Sequence, residues 1–166
     1  MNQNKLSAEL LKSLEPCYEG YKWYVKNCKS TQDTVDIIKM LIKENELDWA
    51  NWVMSRTLSH ENKVRYAIYA AEQVLGIFEE KYPDDKRPRL TIEAAKNYLA
   101  NPCDETKEAA ADSTAYAARA ASDASADSAA DSAAYAARAA SDAASPAMLK
   151  KIIDYGLTLF DTGGIA

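Results

Sequence analysis

Residues 108–145 read EAAADSTAYAARAASDASADSAADSAAYAARAASDAAS. A twelve-residue unit occurs twice, at 113–124 and 132–143, the copies differing only at Thr114 against Ala133. Alanine is the strongest helix former and neither Pro nor Gly interrupts the run, so the segment is predicted to be helical. It holds almost no large aliphatic side chain, so it cannot build a core of its own. Its bare Ala and Ser faces allow another helix to approach closely. The polar positions are ordered. Asp112, Tyr116, Arg119 and Asp123 fall on one helical face, and Asp131, Tyr135, Arg138 and Asp142 repeat the set, with Asp127 four residues from each. Each unit is an Asp-Tyr-Arg-Asp ladder on an alanine rod.

A single helix over this tract would be roughly 60 Å long, whereas a domain of this size is only about 40 Å across. The nineteen-residue offset also turns a straight helix by about 100°, which takes Tyr116 and Tyr135 out of line. Two packed helices with a break near residues 125–128 satisfy both points, with Ser125 or Asp127 as a cap for the second. A continuous rod is the alternative, since the break has no Gly or Pro.

The rest of the chain reads as amphipathic helices. Residues 5–14 place Leu6, Leu10, Leu11 and Leu14 on one stripe before Pro16. Residues 18–29 hold Tyr18, Tyr21, Trp23 and Tyr24. Ser30 or Thr31 is the expected cap of a helix to about residue 45 that buries Val35, Ile38, Leu41 and Ile42. Trp49, Trp52 and Val53 mark the next helix, over 46–58. Ser59 then caps a long one to Tyr82, with apolar residues recurring at three and four from Val64 to Phe78. Pro83 and the DDKRPR connection lead into a helix over about 89–100. Ser145-Pro146 starts the last helix, whose apolar face is expected to cover the bare alanines. No strand pair is expected. The prediction is one all-α helical-bundle domain of about eight helices over 1–166, with amphipathic helices in 1–103, repeat helices in 104–145 and a C-terminal helix in 146–161.

The length of 166 residues suits one domain with a real core, and the net charge of −5 argues against nucleic-acid binding through a basic field. An acidic surface instead suits a basic partner such as the cleft of a nuclease. Cys17, Cys28 and Cys103 lack metal-ligand spacing, and His60 has no Cys or His partner at such spacing. There is no phosphate-cradling glycine loop and no nucleophile motif. Neither a secretory segment nor a membrane span is found. These features predict a cytoplasmic protein with reduced thiols that is not an enzyme and needs no metal or cofactor.

Two sets of residues are candidates for binding. The ladders combine Tyr and Arg, favoured interface anchors, with Asp able to meet a basic protein; the bland reading is a solvated face with weak i,i+4 pairs. The DDKRPR turn sets Asp85, Arg87 and Arg89 near Arg65, Glu72 and Glu93. They read either as a buried ion network that fixes a helix angle or as an anion pocket, since guanidinium forks suit phosphate. In the second case Trp49 and Trp52 would offer a stacking surface.

WANWVMSRTL, VRYAIYAAEQVL, YPDDKRPRLTIEAAKNYL, the Ala-Tyr-Arg-Asp tract and KIIDYGLTLF occur in that order. Over residues 46–160 the chain resembles the immunity-five-like family of bacterial polymorphic toxin systems and their mobile elements, most specifically at residues 87–95. The resemblance implies an all-α cytosolic protein that neutralises a protein toxin by binding it, and it supplies no catalytic residue. The alternatives are an anti-defence protein of a phage or mobile element that sequesters a nucleotide-like anionic ligand, and a homodimer module whose alanine faces pair between copies.

Overall fold

The computed structural model describes residues 5–103 and 145–161; the Asp-Tyr-Arg-Asp ladders, and with them the choice between one helix and two, lie outside the described residues. The chain runs β1 (Lys5–Ser7), α1 (Ala8–Ser13), α2 (Tyr18–Asn27), β2 (Thr31–Asp33), α3 (Thr34–Lys43), α4 (Leu47–Thr57), α5 (His60–Lys81), α6 (Arg87–Ala100) and α7 (Pro146–Asp161). The architecture is all-α apart from one small ribbon.

Side-chain caps decide most helix starts. Ser7 Oγ accepts from the Leu10 amide at 3.1 Å, Asp33 Oδ1 from Val35 at 2.9 Å, Ser59 Oγ from Asn62 at 3.4 Å and Ser145 Oγ from Met148 at 3.3 Å. Two of these caps move a predicted boundary. The first helix begins at Ala8 rather than at residue 5, because β1 pairs antiparallel with β2, Leu6 lying opposite Gln32. The third begins after Asp33 rather than Ser30 or Thr31, because the backbone of 31–33 is engaged in that ribbon. Leu6 is fully buried from its strand, while Leu10, expected on the buried stripe, is 46% exposed. The Tyr24 hydroxyl donates to the Leu6 carbonyl at 2.7 Å and ties the ribbon to α2.

The end of α3 is a Schellman turn. Asn45 takes a left-handed φ of 62°, its amide donates to the Ile42 carbonyl, and the Glu46 amide donates to Leu41. Asn is one of the few residues besides Gly that takes this conformation routinely. The turn reverses the chain and lays α4 along α3.

At 22 residues, α5 is a rod of about 33 Å. Along one side runs α7, antiparallel: Asn62 Nδ2 donates to the Leu159 carbonyl at 2.8 Å, the Tyr69 and Tyr155 rings stack at 4.0 Å, and Lys151 Nζ donates to Gln73 at 2.9 Å. Met54 of α4, Tyr66 of α5 and Ile152 and Ile153 of α7 are buried in one cluster with Leu6, Ile37, Ile38 and Leu41. The Tyr66 hydroxyl is not wasted there: it donates to Asn51 Oδ1 at 2.6 Å. Thus the described core faces of α7 are taken by α4 and α5. Whether α7 also meets the alanine tract falls outside the described residues.

Candidate functional site

The charged corner between α5 and α6 is built from a two-residue reach and two antiparallel helices. Asp85 Oδ1 accepts from the backbone amide of Arg87 at 3.1 Å and from its Nε at 2.7 Å. Those hydrogen bonds from Arg87 pull the Asp85 carboxyl down to about 2. Arg89 meets Glu79 as a fork, Nε and Nη2 donating at 2.8 and 2.7 Å, and Glu79 is lowered by the same bonds. Farther along the pair of helices Lys96 bridges to Glu72 at 2.5 Å.

These contacts revise the reading of the turn. The ion pairs are separate and half-exposed rather than one buried network: the Arg87 and Arg89 side chains keep 43% and 50% of their exposure. Arg65 pairs with Glu61, one turn away on its own helix, at 2.6 Å. It stands fourteen residues, or about 21 Å, along α5 from the Glu79 that holds Arg89. The structure therefore does not bring Arg65, Arg87 and Arg89 onto one anion, because the unbroken rod of α5 keeps them apart. Glu93 acts on Arg89 only through its charge.

Trp49 and Trp52 are placed differently again. Gly20 of α2 faces the Trp49 ring: a methyl group there would be in ordinary contact with the ring at 3.9 Å and closer to Cys17 Sγ, at 3.2 Å. The Trp23 ring lies 6.4 Å away, tilted by 58°, and its Nε1 donates to Glu44 at 2.7 Å. One turn on, the Arg56 guanidinium lies over Trp52, 5.8 Å from the ring centre. The cation beside the tryptophans is Arg56, which the sequence reading missed although its i+4 spacing from Trp52 is a readable signal. All three tryptophans of the chain lie in or beside this cluster on α2 and α4.

Among the described residues, no three His, Cys, Asp or Glu side chains stand close enough to hold a metal, and no helix is long and apolar enough to cross a membrane. His60 reaches the Tyr98 hydroxyl at 3.2 Å and clips the start of α5 to α6. Cys17 and Cys103 are exposed, whereas burial, with the charge of Glu44, pushes the Cys28 thiol up to about 11. The ladder residues Asp112, Tyr116, Arg119, Asp123, Asp127, Asp131, Tyr135, Arg138 and Asp142 lie outside the described residues.

Comparison with curated proteins finds no match, nor does comparison with solved structures. A family model does match, from residue 54 in the middle of α4 through α5, α6 and α7 to residue 162. With more than half of its length matched, on an all-α architecture, the chain belongs to the family described as Imm-5 like putative immunity protein.

Proposed function

We propose that this chain neutralises a protein toxin by holding it in a complex, and that it docks through the acidic and tyrosine-bearing ladders. Family membership over residues 54–162 is the observation that carries the reading. Charge supports the choice of face. Residues 104–144 hold eight carboxylates against three basic side chains, and the rest of the chain balances, so the whole net charge of −5 belongs to the repeat tract. A concentrated negative field steers a basic surface toward it and aligns the encounter. Tyr116, Tyr135, Arg119 and Arg138 would then supply the anchoring contacts.

In this reading the protein acts by occupancy. The Asp residues meet the cationic groups with which a toxin's cleft would hold its own substrate, and substrate is excluded while the complex lasts. No bond is made or broken and no cofactor takes part. The setting is the cytoplasm, where such a toxin would meet its target.

Native mass spectrometry of the protein purified gently from its host tests the reading directly. A co-purifying polypeptide that loses its toxicity in the complex is the expected result. With that polypeptide in hand, Asp123→Lys combined with Asp127→Lys should weaken the complex by at least about tenfold at low salt, and less at high salt. Unchanged affinity would remove the ladder from the reading and leave neutralisation standing. A few hundred daltons of bound mass in place of a polypeptide would overturn neutralisation itself.

A further inference from the structure

The tryptophan stripe on α4 has a charge pattern distinct from that of the ladders. Trp49, Trp52 and Arg56 follow i, i+3 and i+7 spacing and so share one face of α4. Ala50 and Met54, on another side of the helix, are buried in the core, and so is Val53 at the stripe's edge, one turn on from Trp49. The stripe thus borders the core: Trp49 and Trp52 pack against the buried cluster and keep part of their surface open. Both indoles are only partly covered, and Arg56 is exposed. Trp23 extends the aromatic surface across to α2.

Arg56 gives the stripe its polarity. Its guanidinium rests on the Trp52 ring and makes no ion pair among the described residues. The basic side chains of the α5–α6 corner are different: Arg87, Arg89 and Lys96 each have a carboxylate. At 5.8 Å from the ring centre the guanidinium is within cation–π range of Trp52, and, being exposed, it keeps its N–H groups open to a forked acceptor. Trp and Arg side by side on a half-exposed face are the residue types that dominate protein interfaces.

We infer that the Trp49–Trp52–Arg56 stripe is a docking surface for a protein segment carrying an Asp or Glu beside an apolar side chain. The carboxylate would take the fork of Arg56, and the apolar neighbour would lie on the indoles. The surroundings favour a single carboxylate over a polyphosphate or nucleotide. Among the described residues the stripe carries one cation without an ion pair, and Glu44 and Asp48 border the tryptophans. The rings of Trp23 and Trp49 are tilted by 58° instead of forming a parallel slot for a base. The stripe also lies at the edge of the family match, with Trp49 and Trp52 outside it and Arg56 inside. In the sequence it is separate from the acidic ladders, and it selects a partner surface of opposite sign.

The test is selection of a random dodecapeptide phage library on the full chain, followed by affinity measurement through intrinsic tryptophan fluorescence. The three tryptophans are the two of the stripe and the neighbouring Trp23, so the emission reports on the stripe and its border. The expected peptides carry Asp or Glu next to an apolar residue and shift the emission. They should bind Arg56→Glu about thirtyfold more weakly or worse. Arg56 also sits in the last turn of α4, where any cation favours the helix dipole. Arg56→Lys keeps that effect and loses the planar fork, so it should keep the melting temperature and still lose several-fold in affinity. Trp52→Ala, checked for fold by circular dichroism, should abolish the shift. Peptides that bind Arg56→Glu as tightly as the parent, an enriched set without acidic residues, or no peptide that shifts the emission would each sink the proposal. Competition by ATP at the same stripe would sink it too, by making the occupant a phosphate ligand. A chain that still captures a toxin while failing this test would lose the stripe and keep neutralisation, so the two readings fail separately.

Discussion

Gly156 and Gly76 each sit inside a continuous helix, yet a methyl group would meet opposite surroundings at the two positions. At Gly156 of α7 it would lie 2.7 Å from the Tyr66 ring and 2.8 Å from the sulfur of Met54; at Gly76 of α5 nothing lies within 4 Å. Gly156→Ala forces α7 away from Tyr66 and Met54 and should destabilise by about 1–3 kcal/mol. Gly76→Ala only removes backbone freedom from the unfolded chain and should stabilise by about 0.5–1 kcal/mol. Urea titrations of the two variants check the opposite signs. Thr34 makes a related point: it is fully buried, and its hydroxyl has no hydrogen-bond partner among the described residues. Thr34→Val keeps the shape and removes the desolvated hydroxyl, so the midpoint should rise, by about 1 kcal/mol of stability. A fall would mean that the hydroxyl finds a partner. None of this was legible in the sequence, where both glycines sit inside similar amphipathic patterns and Thr34 looks like part of a helix start.

The elements with readable electrostatics are α5 and α6. Asp85 titrates near 2 in the folded chain against an ordinary 3.8, and Glu79 is also lowered. A carboxylate depressed by folding contributes in full above its unfolded pKa and loses that contribution as pH falls toward its folded one. The α5–α6 corner should therefore keep its support above about pH 4 and give it up between there and pH 2. Melting curves across that window should flatten in Asp85→Asn relative to the parent; an identical pH profile would show that the pair does not stabilise the fold. The pairing of Asp85 with Arg87 was legible, being two residues long. The fork of Arg89 on Glu79 was not, because it spans ten residues and depends on how α6 folds back along α5. The same fold-back explains why Arg65, close in the sequence argument, is far from both arginines in space.

For the whole molecule, the family match begins at Met54, inside α4, but the core does not respect that border. Among the described residues, eight of the sixteen members of the main buried cluster precede residue 54, among them Leu6, Tyr24, Ile37 and Leu41. A fragment of residues 54–166 would expose Met54, Ile152 and Ile153 and should show no cooperative thermal transition, while the full chain melts as one unit. Calorimetry that finds a sharp transition in the fragment at the temperature of the full chain would show that the first helices are an appendage. The sequence by itself determined where most helices run and that the fold is all-α, because caps, prolines and a three-to-four apolar period act over a single turn. It also determined that the net charge lies in residues 104–144, before and between the two neutral repeats. Only the tertiary structure decided that Leu6 pairs in a ribbon while Leu10 faces water, that Trp23 leans on Trp49, and that α7 presses a glycine onto Tyr66 and Met54. Those outcomes join residues distant in sequence, and chain reversal and close packing set such distances, which no local pattern encodes.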